Sequence, residues 1–210
     1  MAADKKAYLR SVLRACRSGL PAAYVARVSR VVRERLRQTT YYDRAGTLVL
    51  YAAKDNEICI DELCAEALAT GRRVLFPRVT RATAELLLVR VHAPAELAPG
   101  AFGVREPTGA EIVPVASLGQ ALICVPGLAF TPGGHRLGRG GGYYDRLLAG
   151  AGPQSASAGL AFSFQLLDQL PQSLGDQRLN LILTESASYG AIPLVDAPSQ
   201  WADQGGVPRC

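Results

Sequence analysis

One glycine-dense segment, residues 126–146, combines residue types that could bind an anion. It contains seven glycines, follows the pattern of a buried strand and precedes the pattern of a helix. Glycines let backbone N–H groups approach an anion, and a helix N-terminus adds partial positive charge. Arg136 and Arg139 supply fixed cations, and Asp145 supplies a hard oxygen ligand of the kind that Mg²⁺ prefers. The segment therefore predicts a site for a metal-bound nucleoside triphosphate.

Neither of two common nucleotide motifs is present in this segment. A P-loop requires Lys and then Ser or Thr after its second glycine, but Arg139 and Gly140 follow Gly138 here. The dinucleotide pattern G-x-G-x-x-G fails because Tyr143 stands where the third glycine belongs. A glycine loop without function is the alternative, although loops this rich in glycine inside compact domains are usually functional.

Positive charge is concentrated at the N-terminal end of the chain. Residues 1–44 contain eleven Lys or Arg against three Asp or Glu, while the whole chain carries a net charge of +5. At about 100° per residue, four of these cations share one edge of a single helix: Lys6, Arg10, Arg14 and Arg17. A solvated helix face is the usual explanation of such a run, and we expect Arg14 and Arg17 to be solvated. The functional alternative is a polyanionic ligand, either nucleic acid or the phosphates of a nucleotide.

Residues 1–38 are predicted to form two helices. Asp4 is a suitable N-cap for the first, whose apolar positions repeat at helical intervals: Leu9, Val12, Leu13 and Cys16. We expect this apolar stripe to face the core. The first helix is predicted to end near Gly19, and Pro21 can serve as the first residue of the second.

The rest of the chain alternates between strand and helix patterns. A buried strand at 47–52, a short helix at 60–68 and a strand at 74–76 form a β-α-β spacing that favours a parallel sheet. Further strands are predicted at 85–91, 121–125, 157–162 and 179–184, a helix at 143–149 and a helical turn at 165–170. Without an internal repeat or an interdomain linker, residues 1–210 are predicted to form one α/β domain with a surface tail at 186–210.

Composition and cysteine usage exclude several classes of protein. The chain is 49% apolar and 20% charged, as in globular proteins rather than in disordered or fibrous ones. Its long uncharged stretches are interrupted by Pro and Gly, so no membrane span is expected. Five cysteines without a C-x-x-C pair, beside only two histidines, favour reduced thiols over disulfides or zinc. No secretory signal is visible, and a cytoplasmic location is expected.

Residues 134–146, GHRLGRGGGYYDR, resemble the G-x-R-L-G-x-G-x-G-Y-Y-D signature of the 5-formyltetrahydrofolate cyclo-ligase family. The resemblance extends over most of the chain. Residues 6–10, KAYLR, are similar to the family's K-x-x-L-R, and residues 77–78 and 106–107 match two short family patterns. Residues 176–185, DQRLNLILTE, resemble a final family strand that carries a metal-ligating aspartate.

The resemblance implies a fold and an activity. The implied fold is a single-domain three-layer α/β sandwich with a mostly parallel sheet, of the NagB/RpiA/CoA-transferase-like kind. The implied enzyme is an ATP-dependent ligase that forms a C–N bond, converting 5-formyltetrahydrofolate to 5,10-methenyltetrahydrofolate with release of ADP and phosphate. ATP would be the cosubstrate, Mg²⁺ the metal and phosphorylation of the formyl oxygen the activating step. Neither nucleic acid nor membrane is an expected partner, and the chain is expected to be a monomer.

The resemblance also implies roles for individual residues. Arg139 and Tyr143 are the implied catalytic residues. The implied ATP-binding residues are Lys6, Arg10, Arg136, Leu137, Gly138, Arg139, Gly140, Gly141, Gly142, Tyr143 and Tyr144. The implied folate-binding residues are Ala52, Glu57, Arg139, Gly140, Gly141, Gly142 and Tyr143. Asp145 and Asn180 are the implied metal ligands.

Two positions depart from the family pattern. Thr131 stands where aspartate is usual, and Asn180 stands where the late metal-ligating aspartate is expected. An amide oxygen can coordinate Mg²⁺, but the lost charge predicts weaker binding. A noncatalytic folate- or nucleotide-binding relative is therefore one alternative to a ligase, and a polyanion-binding module built on the N-terminal helices is another.

Ordinary structural roles are open for four of these residues. Glu57 could cap the helix near Asp61, and Asp145 could pair with Arg146 or serve only as a negative charge at a helix N-terminus. Tyr143 and Tyr144 could be core residues at the start of the helix that contains Asp145.

Overall fold

In residues 2–80, 83 and 85–190, which the computed structural model describes, the chain forms five α-helices: α1 (Ala2–Ser18), α2 (Ala22–Arg37), α3 (Thr40–Arg44), α4 (Asp61–Ala69) and α5 (Tyr143–Gly150). The same residues form twelve strands. These are β1 (Thr47–Val49), β2 (Arg73–Thr80), β3 (Glu85–Val91), β4 (Leu97–Pro99), β5 (Arg105–Pro107), β6 (Ile112–Val113), β7 (Ala121–Val125), β8 (Ala129–Phe130), β9 (Arg136–Leu137), β10 (Ala156–Leu160), β11 (Leu181–Leu183) and β12 (Ser188–Gly190). Most of the predicted surface tail, residues 191–210, lies outside the described residues.

Eight strands form one mixed, mostly parallel sheet in the order β12-β11-β10-β7-β1-β2-β3-β6. The five strands from β11 to β2 run parallel, and β12, β3 and β6 join the edges antiparallel. The predicted β-α-β unit is confirmed, because β1 and β2 pair in parallel across α4, with Leu48 opposite Val74. The α/β fold class predicted from the sequence is therefore correct.

Helices cover both faces of this sheet. Val28, Val32 and Leu36 of α2 pack with buried residues of α4 and the central strands on one face. On the other face, Leu147 of α5 packs with a second set of strand residues that includes Ile123. Strands such as β7, which is buried along its whole length, have no solvent-facing side, and their sequences are accordingly apolar throughout. Within the described part of the chain, no helix is both long enough and apolar enough to cross a membrane.

The strand and helix predictions differ from the structure mainly at element ends. The strands at 85–91 and 121–125 have the predicted bounds. The predicted strands at 157–162 and 179–184 are shorter, because Phe162 and Leu179 bond to groups outside the sheet ladder. Thr70 is the C-cap of α4, and the next residue, Gly71, has φ +74, a left-handed conformation that glycine adopts without strain.

Helix α1 differs from the prediction in its start and in its buried face. It begins at Ala2, so Asp4 lies in its first turn and is not the N-cap, and Pro21 is the N-cap of α2 rather than its first residue. Val12 is 40% exposed and Cys16 is exposed, so the predicted apolar stripe is wrong in part. The reason is that α1 packs on the β8–β9 hairpin through Leu9 and Leu13, with Leu128 and Leu137 among its partners, rather than lying flat on the sheet.

Candidate active site

A cavity of about 860 Å³ lies at the carboxyl ends of β1 and β7. The chain leaves β1 toward β2 on one side and leaves β7 toward β10 on the other, so these two neighbours form the topological switch point of the sheet. Connections diverge there and leave a crevice, which is where open α/β sheets bind ligands. The cavity walls come from α1, the glycine-rich segment, the start of α5, the turn after β1 and residues 101–106.

The structure brings together almost all of the residues implicated by sequence. The predicted site residues that line this one cavity are Lys6, Arg10, Ala52, Glu57, Arg136, Leu137, Gly138, Arg139, Gly140, Gly141, Gly142, Tyr143, Tyr144 and Asp145. Asn180 does not line it.

Backbone turns that require glycine shape the loop over the cavity. The β8–β9 hairpin is closed by Thr131, whose side-chain oxygen accepts a hydrogen bond from His135 N at 3.2 Å. A Cβ on Gly134, which has φ +84, would collide with a backbone carbonyl oxygen. Gly140 and Gly142 also have positive φ, and Gly142 is the N-cap of α5. The loop thereby ends with the N-terminus of α5 at the cavity wall.

Two cations of α1 line the cavity, and one of them contacts the glycine-rich segment. Lys6 Nζ donates to Ser173 Oγ at 2.8 Å and to Asp176 Oδ2 at 3.0 Å. Arg10 Nε donates to the Gly138 carbonyl at 3.0 Å. Burial raises the pKa of Asp176, but the hydrogen bonds and charge of Lys6 and the Ser173 N–H outweigh it, so that the pKa lies below its ordinary value.

Alternating charges connect the glycine-rich segment with the turn after β1. Arg139 donates to Asp55 Oδ2 at 2.9 Å and to Glu57 Oε1 at 2.9 Å. Glu57 is 8% exposed, and its Oε2 accepts from the Lys54 N–H at 3.1 Å. Burial lowers the pKa of Arg139, but the two carboxylates outweigh it, so the pKa is raised. Arg139 is therefore held as a cation at the cavity wall. The Glu57 carboxylate accepts a hydrogen bond within its own turn, from the Lys54 N–H, and does not cap α4.

Arg17 is buried, contrary to the expectation that it is solvated. Its side chain is 1% exposed and its guanidinium reaches Glu57 Oε1 at 3.4 Å. The expectation fails because the Arg17 side of the last turn of α1 packs against the turn after β1, where Asn56 Nδ2 donates to the carbonyls of Arg17 and Leu20. Arg14, one turn earlier, is exposed as expected.

Asp145 pairs with Arg136 rather than with Arg146. Arg136 Nη2 donates to Asp145 Oδ1 at 2.9 Å, and the same oxygen accepts from Gln177 N at 3.2 Å. The Nε of Arg136 is buried and has no hydrogen-bond partner among the described residues. Because Gln177 adjoins Asp176, the carboxylates of Asp145 and Asp176 line the same part of the cavity.

Asn180 is the one predicted site residue that the structure separates from the others. Its Oδ1 accepts hydrogen bonds from Ser157 N at 2.8 Å and Ser157 Oγ at 2.9 Å, at the ends of β10 and β11 where the two strands begin. Its side-chain oxygen is thus engaged by Ser157, so this geometry does not bring the two implied metal ligands together. Asp176, four residues earlier, is an acidic side chain that lines the same cavity as Asp145.

Two carboxylates suit Mg²⁺ when substrate oxygens complete the shell. Mg²⁺ is usually bound by one or two carboxylates together with phosphates and waters rather than by an all-protein cage. The described residues contain no cluster of three or more His, Cys, Asp or Glu side chains that could hold a metal ion. Asp145 and Asp176 could belong to a two-carboxylate site. Each pairs with a cation, Arg136 or Lys6, and a bound phosphate group could take over the pairing with that cation.

Aromatic rings line the outer part of the cavity. Tyr143 meets Phe102 edge to face, with ring centroids 6.4 Å apart, and Arg146 lies 5.3 Å from the Tyr143 ring. Tyr144 points inward, where burial raises the pKa of its hydroxyl. A flat apolar ligand can therefore lie beside Tyr143 while an anion binds at the loop.

The residues that sequence reasoning missed include three that line the cavity, Phe102, Ser173 and Asp176, and two that contact its lining residues, Arg17 and Asp55. Of these, Asp176 had a visible signal, because it opens the motif at residues 176–185 in which Asn180, four residues later, was predicted as a metal ligand. The others depend on tertiary contacts and carry no motif.

Comparisons with known proteins point to one family. The model of the 5-formyltetrahydrofolate cyclo-ligase family matches residues 2–185. The chain is 30% identical to the 5-formyltetrahydrofolate cyclo-ligase of Escherichia coli K12 over 146 residues, covering 68% of this chain and 79% of the relative. It is 27% identical to a probable 5-formyltetrahydrofolate cyclo-ligase of Caenorhabditis elegans over 197 residues, covering 87% and 93%.

Solved structures agree in fold. The NMR structure of Aquifex aeolicus 5,10-methenyltetrahydrofolate synthetase matches with a TM-score of 0.77 and 30% identity, covering 97% of this chain and 96% of that one. A 5,10-methenyltetrahydrofolate synthetase from Mycoplasma pneumoniae matches with a TM-score of 0.69 at 22% identity, covering 86% and 98%. The second likeness concerns the fold alone.

Proposed function

Because the chain belongs to the 5-formyltetrahydrofolate cyclo-ligase family, we propose that it cyclises 5-formyltetrahydrofolate to 5,10-methenyltetrahydrofolate with hydrolysis of ATP to ADP and phosphate. The observation that carries the proposal is the single cavity in which the cations of α1, the glycine-rich loop and the Glu57–Arg139 pair meet. Residues 1–210 would form one domain for this reaction. A monomeric state and a cytoplasmic location stay predictions.

The triphosphate of ATP binds at the glycine-rich wall in this proposal. Lys6, Arg10 and Arg136 neutralise the phosphates, and the buried, unpartnered Nε of Arg136 is a donor that a phosphate oxygen would satisfy. Backbone N–H groups from Leu137 through Tyr144 supply further donors, and the N-terminus of α5 adds its partial charge.

Asp145 and Asp176 would hold Mg²⁺ in this proposal, in place of the pair of Asp145 and Asn180. When bound, Mg²⁺ would neutralise negative charge on the phosphates. Lys6 and Arg136, which pair with these carboxylates, supply positive charge to the same end.

The folate binds beside the triphosphate in the same cavity in this proposal. Ala52, the glycines 140–142 and Tyr143 form the surface against which the ring system lies, and Glu57 accepts hydrogen bonds from it. Arg139, which contacts Glu57 at 2.9 Å, stands where the phosphates and the folate meet.

The chemistry requires little from protein nucleophiles. A formamide oxygen is a poor leaving group, so the formyl oxygen first attacks the γ-phosphorus and the bond to the β–γ bridging oxygen breaks, releasing ADP. The nitrogen at position 10 then attacks the formyl carbon and loses its proton, and phosphate departs with the former formyl oxygen. Arg139 stabilises charge on the transferred phosphoryl group, and in-line positioning supplies much of the remaining acceleration.

The direct test mixes the protein with ATP, Mg²⁺ and 5-formyltetrahydrofolate and follows the absorbance of the methenyl product. ATP-dependent product with matching phosphate release supports the ligase. Binding of 5-formyltetrahydrofolate without product would instead support the noncatalytic relative.

A polyanion-binding module has less support, because Lys6, Arg10 and Arg17 are engaged within the cavity walls rather than on a shared outer face. A salt-sensitive shift of labelled RNA or DNA that ATP leaves unchanged would revive that alternative.

A further inference from the structure

Arg17 occupies a position where a charged side chain is costly. It lies in the last turn of α1 with 1% of its side chain exposed. Burial lowers the pKa of its guanidinium, against the opposing effect of Glu57. An arginine does not lose its proton in proteins, so this side chain must be compensated by its contacts.

The contacts of Arg17 join two segments of the cavity wall. Its Nε donates to the Asp55 carbonyl at 2.8 Å, and its Nη1 donates to the Gly127 carbonyl at 3.1 Å. Its Nη2 reaches Glu57 Oε1 at 3.4 Å, the same oxygen that accepts from Arg139. One planar guanidinium therefore links the turn after β1 with the beginning of the glycine-rich segment.

The turn that holds Glu57 is bonded to Arg17 on two sides. Asp55 and Asn56 both have left-handed backbone conformations, with φ +52 and +57, which Asp and Asn adopt more readily than most residues. The Arg17 carbonyl accepts from Asn56 Nδ2 at 3.1 Å, while the Arg17 side chain donates to the Asp55 carbonyl. Arg17 thus contacts this turn through both its backbone and its side chain.

We propose that Arg17 is a positioning residue that sets the orientation of the Glu57 carboxylate and ties its turn to the glycine-rich loop. The inference rests on the proposed function, in which Glu57 contacts the folate. Arg17 does not line the cavity itself, so its effect on the reaction passes through Glu57.

The kinetic test compares Arg17→Lys and Arg17→Met with the matched control Arg14→Met. Lysine at position 17 keeps the positive charge but lacks the planar guanidinium that makes several hydrogen bonds at once. We therefore expect the KM for 5-formyltetrahydrofolate to rise about tenfold and the KM for ATP to change less than about twofold. Arg17→Met is expected to have a larger effect on the same constant. Arg14 is exposed on the same helix, and its replacement should leave both constants unchanged.

A merely structural role gives a different result. Arg17→Lys would then lower the melting temperature and the yield of active protein, with the KM for the folate unchanged in the folded fraction. That outcome would overturn the inference. If Arg17→Met does not fold, Arg17→Lys decides alone.

A double-mutant cycle tests the route through Glu57. If Arg17 acts only by orienting that carboxylate, adding Arg17→Lys to Glu57→Gln should not raise the folate KM further. Effects that multiply would show that the two residues act independently and would contradict the proposal.

A readout without catalysis separates this inference from the proposed function. The Lys54 amide donates to Glu57 Oε2, so its hydrogen-exchange rate reports the position of that carboxylate. In Arg17→Lys we expect this amide to exchange about tenfold faster while amides in β7 stay protected. Absence of methenyl product from the unmodified protein would refute the ligase, whereas unchanged exchange at Lys54 would refute the role of Arg17.

Discussion

Replacing Arg139 with alanine separates catalysis from folding, because its contacts predict a small effect on stability and a large one on turnover. The pair with Asp55 joins side chains that are 39% and 40% exposed, and exposed pairs contribute about 0.2–1 kcal/mol. Removing Arg139 also takes one partner from Glu57, which is 8% exposed. Glu57 keeps the Lys54 N–H at 3.1 Å and Arg17 at 3.4 Å, so its carboxylate is not left unpaired.

These contacts set the expected magnitude. The loss at Glu57 should lie well below the 3–5 kcal/mol typical of breaking a fully buried pair, so we expect the total to be about 2 kcal/mol. For a chain of this size that corresponds to a fall in melting temperature of about 4–8 °C. Removing one preorganised donor from a developing negative charge costs about 10²–10³ in kcat.

The assay measures both quantities on the same preparation. Arg139→Ala is melted by circular dichroism, and methenyl product is followed by absorbance at saturating ATP and folate well below the melting range. Arg30→Ala, an exposed arginine on α2, is the control and should match the unmodified protein in both measurements. Turnover of Arg139→Ala within about threefold of the unmodified protein would refute the role given to Arg139, since a lost donor costs far more.

Three further predictions test the metal pair, the acid response and the loop. Asp176→Asn should raise the Mg²⁺ concentration for half-maximal rate by about tenfold, whereas Asn180→Asp should leave the metal titration unchanged, since its oxygen is engaged by a serine. The pKa of Asp55 lies below its ordinary value of 3.8, because a hydrogen bond and charge from its arginine partner outweigh burial. The ionised carboxylate of Asp55 therefore stabilises the fold above that pH, and this stabilisation is lost on acidification. Between pH 6 and about pH 3, the melting temperature of Asp55→Asn should therefore fall by less than that of the unmodified protein. Gly134→Ala should lower the free energy of unfolding in urea by about 1–3 kcal/mol, because alanine there is strained and collides with a backbone carbonyl. Gly152→Ala, with open space around it, should change that energy by less than about 1 kcal/mol.

Each of these predictions has a contradicting result. If Asn180→Asp lowered the Mg²⁺ concentration for half-maximal rate, residue 180 would have to be placed at the metal site after all. Equal acid sensitivity with and without Asp55 would show that its arginine pair does not stabilise the fold. An unfolding energy for Gly134→Ala that equals that of the unmodified protein would show that the β8–β9 hairpin adjusts without cost.

The sequence alone determined the fold class and the principal wall of the site. Apolar runs bounded by turn residues identify parallel strands such as β7, because strands buried on both faces have no polar positions. The glycine-rich segment was recognisable because its backbone conformations, with positive φ at Gly140 and Gly142, admit few other residues. Lys6 and Arg10 were found for the same local reason, since one helix face brings residues four apart together.

Only the tertiary structure decided which charges meet. Helical spacing places Arg14 and Arg17 on one edge of α1, but burial of Arg17 depends on how α1 docks against the turn after β1. The separation of Asn180 from Asp145 has a similar cause. Asn180 directly precedes β11, and the parallel pairing of β11 with β10 places it beside Ser157, whose backbone N–H and hydroxyl donate to its side-chain oxygen. Contacts between segments distant in sequence depend on docking geometry, which no local pattern of residues encodes.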